Sequence, residues 1–210
     1  MLANPHAGKG RQSGLVPAVL ERLRAGGHDV ELLSARTPVE AEDACRAAVV
    51  EGAAAVVAVG GDGTYHLALQ AVAATAVPFG AVPTGTGNDL AAQLGLPADP
   101  LGAADAIARA LREGSTRTVD LARMTAPGRA PRWFGAVYAA GFDAIVNEKA
   151  NAMRWPRGPR RYDLAILLEL ARLRPRRYTI GLDGEEVRVE AVLVAVGNTA
   201  SYGGGMRICP

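Results

Sequence analysis

Two short apolar runs constrain the fold of this chain more than any other feature. Residues 55–59 and 79–82 carry no polar side chain, and each leads into a glycine-rich turn and then a helical pattern. A strand that is apolar on both sides is typical of a parallel sheet covered by helices on both faces. The pattern therefore predicts α/β architecture in this part of the chain.

The remaining elements of the N-terminal half continue this alternation. We expect a strand over residues 28–34 and helices over about 38–50, 64–74 and 100–113, with a further helix after the second glycine-rich turn. Thr37 and Glu40 form a capping-box pattern around Pro38 at the start of the first of these helices. Strands that alternate with helices in this way favour a parallel sheet with helices on both faces.

The pattern changes near residue 116. Strands are expected over 118–124 and 133–140, helices over 143–153 and 162–174, and a hairpin at Asp183-Gly184. In the second helix, the apolar stripe is made of Leu164, Leu167, Leu168 and Ala171. We place an α/β domain at residues 1–116 and a partial β-rich domain at 117–210. The second domain has no closed core, so we expect C-terminal strands to be missing.

Composition excludes several classes of protein. With 49% hydrophobic and 21% charged residues the chain is not disordered, and a net charge of +2 gives no indication of nucleic-acid binding. Two cysteines cannot build a disulfide framework or a cysteine-type zinc site. Without an apolar leader or a membrane-spanning run, the sequence predicts a cytoplasmic protein. Its oligomeric state is left open, a homodimer included.

Three glycine-rich turns carry the candidate chemistry. The runs at residues 4–10, 60–64 and 83–89 each follow a predicted strand, so they meet at the carboxyl edge of the sheet, where anions and nucleotides bind. Lys9 in the first run could neutralise phosphate charge. Asp62 in the second suits a metal-mediated contact, a ribose hydroxyl or proton transfer, although a plain helix cap is an alternative. We expect that one residue, Asn88 or Asp89, caps the next helix and also binds ligand.

A basic segment stands out in the second half. Residues 151–180 hold eight arginines against Asp163 and Glu169, a net charge of +6, together with Trp155. Such a segment can rest on an anionic membrane. A solvated arginine-rich face is an equally good interpretation.

Taken together, the motifs resemble the diacylglycerol kinase-like lipid kinases, which include sphingosine and ceramide kinases. The resemblance lies in the runs Asn-Pro…Gly-Lys-Gly (4–10), Gly-Gly-Asp-Gly-Thr (60–64), Pro-Thr-Gly-Thr-Gly-Asn-Asp-Leu-Ala (83–91) and Gly-Asn…Gly-Gly-Gly-Met (197–206). It implies a nucleotide-binding domain followed by a β-sandwich. It also implies transfer of the ATP γ-phosphate to a lipid hydroxyl with Mg²⁺ as cofactor, the expected substrate being membrane diacylglycerol.

The resemblance also implies site residues. Acidic residues around the nucleotide and Mg²⁺, assigned as catalytic, would be Asp62, Asp89 and Asp120. Residues near ATP would be Asn4, Gly8, Lys9, Thr37, Gly60, Gly61, Asp62, Gly63, Thr64, Gly85, Thr86 and Gly87. The family's Mg²⁺ ligands and proposed base follow the Gly-Gly-Gly-Met run, beyond Pro210, so no metal ligand is assigned. His66-Leu67 stands where family members often carry a glutamate.

Two alternatives remain at this point. An NAD kinase would explain the Gly-Gly-Asp-Gly-Thr run, which that family shares, but not the later runs. A catalytically incomplete nucleotide-binding fragment would explain the motifs without requiring activity.

Overall fold

A computed structural model of the chain describes residues 1–3, 14–85, 87–153, 155–156, 160–203 and 205–209. Helices and strands alternate through its first half, and strands predominate after residue 121. In chain order the elements are β1 (Leu2–Ala3), α1 (Leu15–Ala25), α2 (Pro38–Val50), β2 (Val56–Gly60), α3 (Asp62–Val72), β3 (Phe79–Pro83), α4 (Asp89–Gln93), α5 (Pro100–Glu113), β4 (Ala122–Ala126), β5 (Arg129–Phe134), β6 (Val137–Gly141), α6 (Phe142–Ala152), α7 (Arg160–Leu170), β7 (Arg176–Leu182), β8 (Glu185–Ala191), β9 (Leu193–Gly197), β10 (Ser201–Tyr202) and β11 (Met206–Arg207).

Two compact units share the chain. One joins Met1–Ala136 with Gly197–Pro210, and the other is Val137–Val196. These units reflect packing within the folded chain, whereas the boundary predicted between residues 116 and 117 was drawn from a change of sequence pattern. That boundary stays a prediction.

The first unit is built on a parallel sheet in the order β1-β2-β3. Alternate residues of β2 enter two different cores, because successive side chains of a strand point to opposite faces. Val56 and Ala58 pack with α2 and α3, while Val57 and Val59 pack with α1 and α5. The apolar runs therefore form the buried parallel strands that the sequence predicted.

The strand expected over residues 28–34 is the main local departure. Only Leu33 pairs with the sheet, through an isolated parallel bridge to Leu2. The neighbouring strand β1 has two residues, so it offers too short an edge to hold a full ladder. The expected strand over 133–140 is likewise divided into β5 and β6. Gly135 between them is buried against Leu69, Leu90 and Leu121.

Gln70 of α3 fastens the hairpin of β4 and β5. Its side-chain amide donates to the carbonyl oxygen of Trp133 at 2.8 Å and accepts from the Trp133 amide at 2.9 Å. The buried side chain thus takes the place of a neighbouring strand, and it satisfies main-chain groups that would otherwise be costly to bury.

Glu42 of α2 provides a second attachment for β5. Nη1 of Arg132 lies 2.9 and 2.7 Å from the two carboxylate oxygens of Glu42, and Arg46 lies 2.6 Å from one of them. Burial on its own would raise the pKa of Glu42, but the hydrogen bonds and charges of Arg46 and Arg132 outweigh burial and lower it. The ionised carboxylate therefore stabilises the folded state.

The second unit contains α6, α7 and four strands. β6 pairs with β9, and β7 pairs with β8 in an antiparallel hairpin. Asp183 and Gly184 have φ values of 50° and 90°, the left-handed geometry that a tight two-residue hairpin requires, so the predicted turn is confirmed. α6 and α7 meet through Val146, Ala150 and Ala165, with an ion pair between Lys149 and Glu169.

Within the described parts of the chain, no helix combines the length and the apolar character needed to cross a bilayer.

Replacing Gln70 with leucine tests its role as a substitute strand. Two buried main-chain groups of Trp133 would lose their partners, so we expect the free energy of unfolding to fall by about 1–3 kcal/mol. Urea denaturation measures the change. Gln93→Leu, on the exposed end of α4, is the matched control and should change stability by less than about 0.5 kcal/mol. Equal effects of the two substitutions would contradict the assigned role.

Glu42→Gln tests the ion pair through its pH dependence. Because folding lowers the pKa of Glu42, its contribution is complete above the ordinary value of 4.5 and is lost as pH falls below it. We expect the variant to be less stable than wild type by about 1–3 kcal/mol at neutral pH, with the gap closing in acid. Urea denaturation across this pH range measures it, with Glu51→Gln at the exposed end of α2 as the control. A gap independent of pH would contradict the proposal.

Candidate active site

The carboxyl ends of the parallel strands bring the glycine-rich turns to one edge. Gly60 at the end of β2 is paired with Pro83 at the end of β3, and Ala3 at the end of β1 is paired with Val59. The second and third turns thus start at the same level of the sheet, and β1 ends at that level. Residues 4–13 lie outside the described part of the chain, and so do the predicted site residues Asn4, Gly8, Lys9 and Thr86.

The second and third turns touch through their main chains. The amides of Thr84 and Gly85 donate to the carbonyl oxygen of Gly60 at 2.8 and 3.2 Å. A Cβ atom on Gly85 would lie 2.6 Å from the Cα of Gly61, closer than real atoms approach. Glycine is therefore required at this contact for steric reasons. The two turns thus form one strip of main chain, the glycine strip, in which Gly61 and Gly85 are half-buried and Gly60 is buried beneath the Thr64 side chain.

Asn88 closes the third turn on itself. Its side chain accepts from the amide of Gly85 and donates to the carbonyl oxygen of Gly85, both at 2.9 Å. Asn88 has φ of 56°, in the left-handed region that asparagine tolerates better than most residues. Its side chain makes no capping bond to α4. The expectation that Asn88 caps this helix is therefore wrong, because the side chain is used within the turn.

Asp62 supplies the missing cap from the other turn. Its carboxylate oxygens accept hydrogen bonds from the amides of Asp89 and Leu90, at 3.2 and 3.0 Å. These amides belong to the first turn of α4, and amides at that position have no partner within the helix. Asp62 is itself the first residue of α3. One carboxylate thus ties the starts of two helices together at the edge of the sheet.

Asp89 extends this connection to the C-terminal glycine run. Its Oδ1 accepts from the amide of Gly205 at 2.8 Å, in the turn between β10 and β11. Gly205 has φ of 98°, a conformation that side chains rarely adopt. The Gly-Gly-Gly-Met run had marked this turn as a candidate motif, but the sequence did not indicate that Asp89 binds it. Asp62, Asp89 and the glycine run now form a single chain of contacts.

The base of the second turn is buried. Thr64 and Tyr65 are enclosed, and the Thr64 side chain packs against Gly60, where no Cβ atom could fit. The Tyr65 hydroxyl donates to the carbonyl oxygen of Gly60 at 3.0 Å. Burial, and secondarily the charge of Asp62, raise the pKa of Tyr65, so the hydroxyl stays protonated and keeps this bond. Gly63, in contrast, is exposed.

Two other predicted site residues make different contacts. The Thr37 hydroxyl accepts from the amide of Glu40 at 3.1 Å, which confirms the predicted cap of α2. Asp120 is exposed, and its carbonyl oxygen accepts from the Asn198 side chain at 2.8 Å. Asn198 also donates to the carbonyl oxygen of Gly135. It therefore fixes the segment that carries Asp120, a role that the sequence did not reveal.

The arrangement suits an anionic ligand. The N-terminus of α3 lies at the glycine strip, and the main-chain amides of a helix N-terminus favour phosphate binding. Among the described residues, no three His, Cys, Asp or Glu side chains gather as a metal-binding group. Of the described residues at the glycine strip, Asp62 and Asp89 offer carboxylate oxygens.

Comparison with known proteins gives matches over the whole chain. The family model described as diacylglycerol kinase catalytic domain matches residues 1–124, and that described as YegS C-terminal NAD kinase beta sandwich-like domain matches 135–210. A diacylglycerol kinase of Mycobacterium tuberculosis (strain H37Rv) is 44% identical over 211 residues, which cover 100% of this chain and 67% of that protein. A YegS-like lipid kinase of Xanthomonas campestris (strain 8004) is 31% identical over 197 residues, covering 90% and 62%.

Solved structures agree with the fold. The crystal structure of a diacylglycerol kinase from Bacillus anthracis str. Sterne matches with a TM-score of 0.70 and 27% identity, covering 99% of this chain and 66% of that one. A second structure from the same organism, 24% identical with a TM-score of 0.75, supports the fold alone. The chain thus spans about two thirds of the length of these relatives. The matches confirm the resemblance seen in the motifs, and they confirm the α/β class with a β-sandwich-like second domain.

Gly85→Ala tests the contact between the turns. The added methyl group would collide with Gly61 and with Oδ1 of Asn88, so we expect a loss of about 1–3 kcal/mol in the free energy of unfolding. Gly63→Ala is the matched control, because a Cβ there meets nothing within 4 Å and the residue is helical. This control should gain up to about 1 kcal/mol. Thermal unfolding distinguishes them, and the same sign for both would contradict the packing described.

Proposed function

The chain belongs to the diacylglycerol kinase-like lipid kinases, and from this we propose that it transfers the γ-phosphate of ATP to the hydroxyl of diacylglycerol, yielding phosphatidic acid. The enzyme class, a lipid kinase, follows from the family. The lipid and the activity of this stretch of chain are the proposed parts. The observation that carries the proposal is the joined pair of glycine turns with Asp62 between the starts of α3 and α4.

The glycine strip would hold the phosphates of ATP. Gly61 and Gly85 pack main chain against main chain at this edge, with Gly60 buried at its base, and the N-terminus of α3 adds partial positive charge that favours phosphate. Phosphoryl transfer depends mainly on positioning and charge stabilisation. A rigid strip fixed by main-chain bonds meets the first need. The roles of Asn4, Gly8, Lys9, Thr37, Gly63, Thr64, Thr86 and Gly87 near ATP belong to the same proposal.

Asp62 and Asp89 fit a magnesium site that is shared with the nucleotide. Mg²⁺ is commonly held by one or two carboxylates together with substrate phosphates, so a third acidic side chain is not required. Bound there, Mg²⁺ would neutralise phosphate charge. The chain's own contribution is to hold the two aspartates at a fixed separation, through amides of Asp89, Leu90 and Gly205.

The transfer also needs an acceptor for a proton. As the lipid oxygen bonds to the γ-phosphorus and the bond to the ADP oxygen breaks, the hydroxyl proton must leave. A carboxylate is suited to accept it. We assign Asp62, Asp89 and Asp120 as the acidic residues of the site, two of them fixed at the glycine strip and Asp120 in the segment held by Asn198.

The reaction implies where the enzyme works. ATP is soluble, whereas diacylglycerol lies in a bilayer, so we propose a cytoplasmic enzyme in peripheral contact with an anionic membrane. The arginine-rich segment supports this proposal through its charge.

A transfer assay with competing acceptors tests the substrate. Labelled γ-phosphate from Mg-ATP is offered with diacylglycerol micelles and NAD, and the products are partitioned between organic and aqueous phases. We expect label in the organic phase. Label on NAD would favour the NAD kinase alternative, to which the shared Gly-Gly-Asp-Gly-Thr run lends support. Absence of transfer by this stretch, with transfer by the full-length protein, would favour an incomplete fragment.

Asp62→Asn separates chemistry from helix capping. It removes the charge at the site, so we expect kcat to fall about a hundredfold or more. Asp99→Asn is the matched control, because Asp99 caps α5 with a bond of 2.7 Å to the Gly102 amide. Asp62→Asn should also lose about 1–3 kcal/mol of stability, because asparagine offers one oxygen where the carboxylate uses two. Asp99→Asn should change stability little, because asparagine caps helices about as well as aspartate, and it should keep its kcat. If both variants retained full kcat, Asp62 would be only a cap.

A further inference from the structure

Helix α7 presents an apolar surface to the outside. An amphipathic helix ordinarily turns its apolar stripe toward the core. In α7 the residue that enters the core is Ala165, while Leu167 and Leu170 are 65% and 54% exposed. Ile166 is exposed beside them. Around the helix, Ile166 lies about 100° and Leu167 about 160° from Ala165, so these side chains point away from the residue that enters the core. Of the stripe expected from the sequence, Leu167, Leu168 and Ala171 are exposed. The outward stripe of the structure is a different set, Ile166, Leu167 and Leu170.

This outward stripe occupies the last two turns of the helix. Leu168 and, just beyond the helix, Leu173 are also exposed, which extends the apolar surface. Asp163 is exposed one turn earlier and limits the stripe on that side. Contiguous exposed apolar surface of this kind marks an interaction site more often than a chance feature.

Arginines surround the stripe. Arg160 begins the helix, and exposed arginines follow it at positions 172, 174, 176 and 177. Residues 160–177 contain six arginines, Asp163 and Glu169, a net charge of +4. Glu169 is paired with Lys149, and Arg177 is paired with Glu190 at 3.0 Å. Guanidinium groups around an apolar stripe complement a surface with anionic headgroups above a hydrocarbon interior. The exposed apolar side chains together with the excess of arginines favour an anionic bilayer as the occupant of this surface.

We infer that α7 and the segment through Arg177 form a membrane-docking surface, in which Ile166, Leu167 and Leu170 enter the interface of an anionic bilayer and the flanking arginines contact its headgroups. The inference rests on the proposed function, since a lipid acceptor must be reached in the bilayer. It adds the surface and the lipid charge that would make that contact. Trp155, 77% exposed and five residues before α7, provides a natural reporter of insertion.

Vesicle co-sedimentation tests the surface. Phosphatidylcholine vesicles with and without phosphatidylglycerol are compared at low and high salt. We expect binding only to the anionic vesicles, weakened by salt. Leu167→Ser should reduce partitioning about tenfold, and Arg174→Gln about fivefold. Equal binding to neutral vesicles, or no binding, would overturn the inference.

The chain offers close controls for both substitutions. Leu182 is 66% exposed on the β7–β8 hairpin, so Leu182→Ser matches Leu167→Ser in chemistry and exposure. Arg188→Gln removes an exposed arginine from β8 in the same unit. Both controls should bind vesicles as wild type does. If they weaken binding as much as the test variants, the effect is not specific to α7 and the inference fails.

Two further readouts keep the test independent of folding and of catalysis. In a Trp133→Phe background, the emission of Trp155 should shift to the blue with anionic vesicles, and an unchanged spectrum would count against docking. Light scattering measures the oligomeric state. A wild-type dimer that becomes monomeric in Leu167→Ser would show that the stripe binds a second copy of the chain, which would overturn the inference. Leu167→Ser should keep its activity on a monomeric short-chain diacylglycerol, but it should lose activity on diacylglycerol in vesicles. Loss of transfer to every lipid, with vesicle binding intact, would refute the proposed function and leave the docking surface standing.

Discussion

The site depends on one carboxylate that bonds to main chain 27 and 28 residues away. Asp62 begins α3 and accepts the first amides of α4, so the second and third glycine turns are held at a fixed separation. Asp89 passes the connection on to Gly205. Each bond in this chain joins a side-chain oxygen to a main-chain amide, and such bonds satisfy donors that helix starts and turns leave unpaired. A ligand-binding edge built this way is fixed by the backbone more than by side-chain packing.

The sequence predicted those parts of this arrangement that depend on local pattern. β2 and β3 were found because a wholly apolar run can be satisfied only by burial on both faces, and the cap at Thr37 because its partner lies three residues away. The partner of Asp62 could not be found in that way, since the contact is set by how α3 and α4 leave adjacent strands. The Asn88 error has the same origin. The sequence showed that Asn88 stands just before a helix, but it did not reveal the hydrogen bonds between the Asn88 side chain and Gly85.

A similar limit applies to α7. Its helical spacing was evident, but spacing alone cannot say which side of a helix meets its neighbour. Contact with α6 is made by the small side chain of Ala165, so the larger leucines are left outside. The family comparisons add the enzyme class to the fold, while lipid choice and membrane contact depend on surfaces that must be tested directly.

The two attachments of β5 have a consequence for strand alignment. Arg132 and Trp133 are consecutive, yet one is bound by Glu42 of α2 and the other by Gln70 of α3. Glu42 binds the side chain of Arg132, whereas Gln70 binds the main-chain amide and carbonyl of Trp133. The side chains and the main-chain groups of successive strand residues both alternate in direction, so a slip by one position would break both attachments at once. The register of the hairpin of β4 and β5 is therefore fixed by contacts with two helices, α2 and α3. Its alignment does not rely on its own turn, and changes in that turn can be tolerated without displacing the strand.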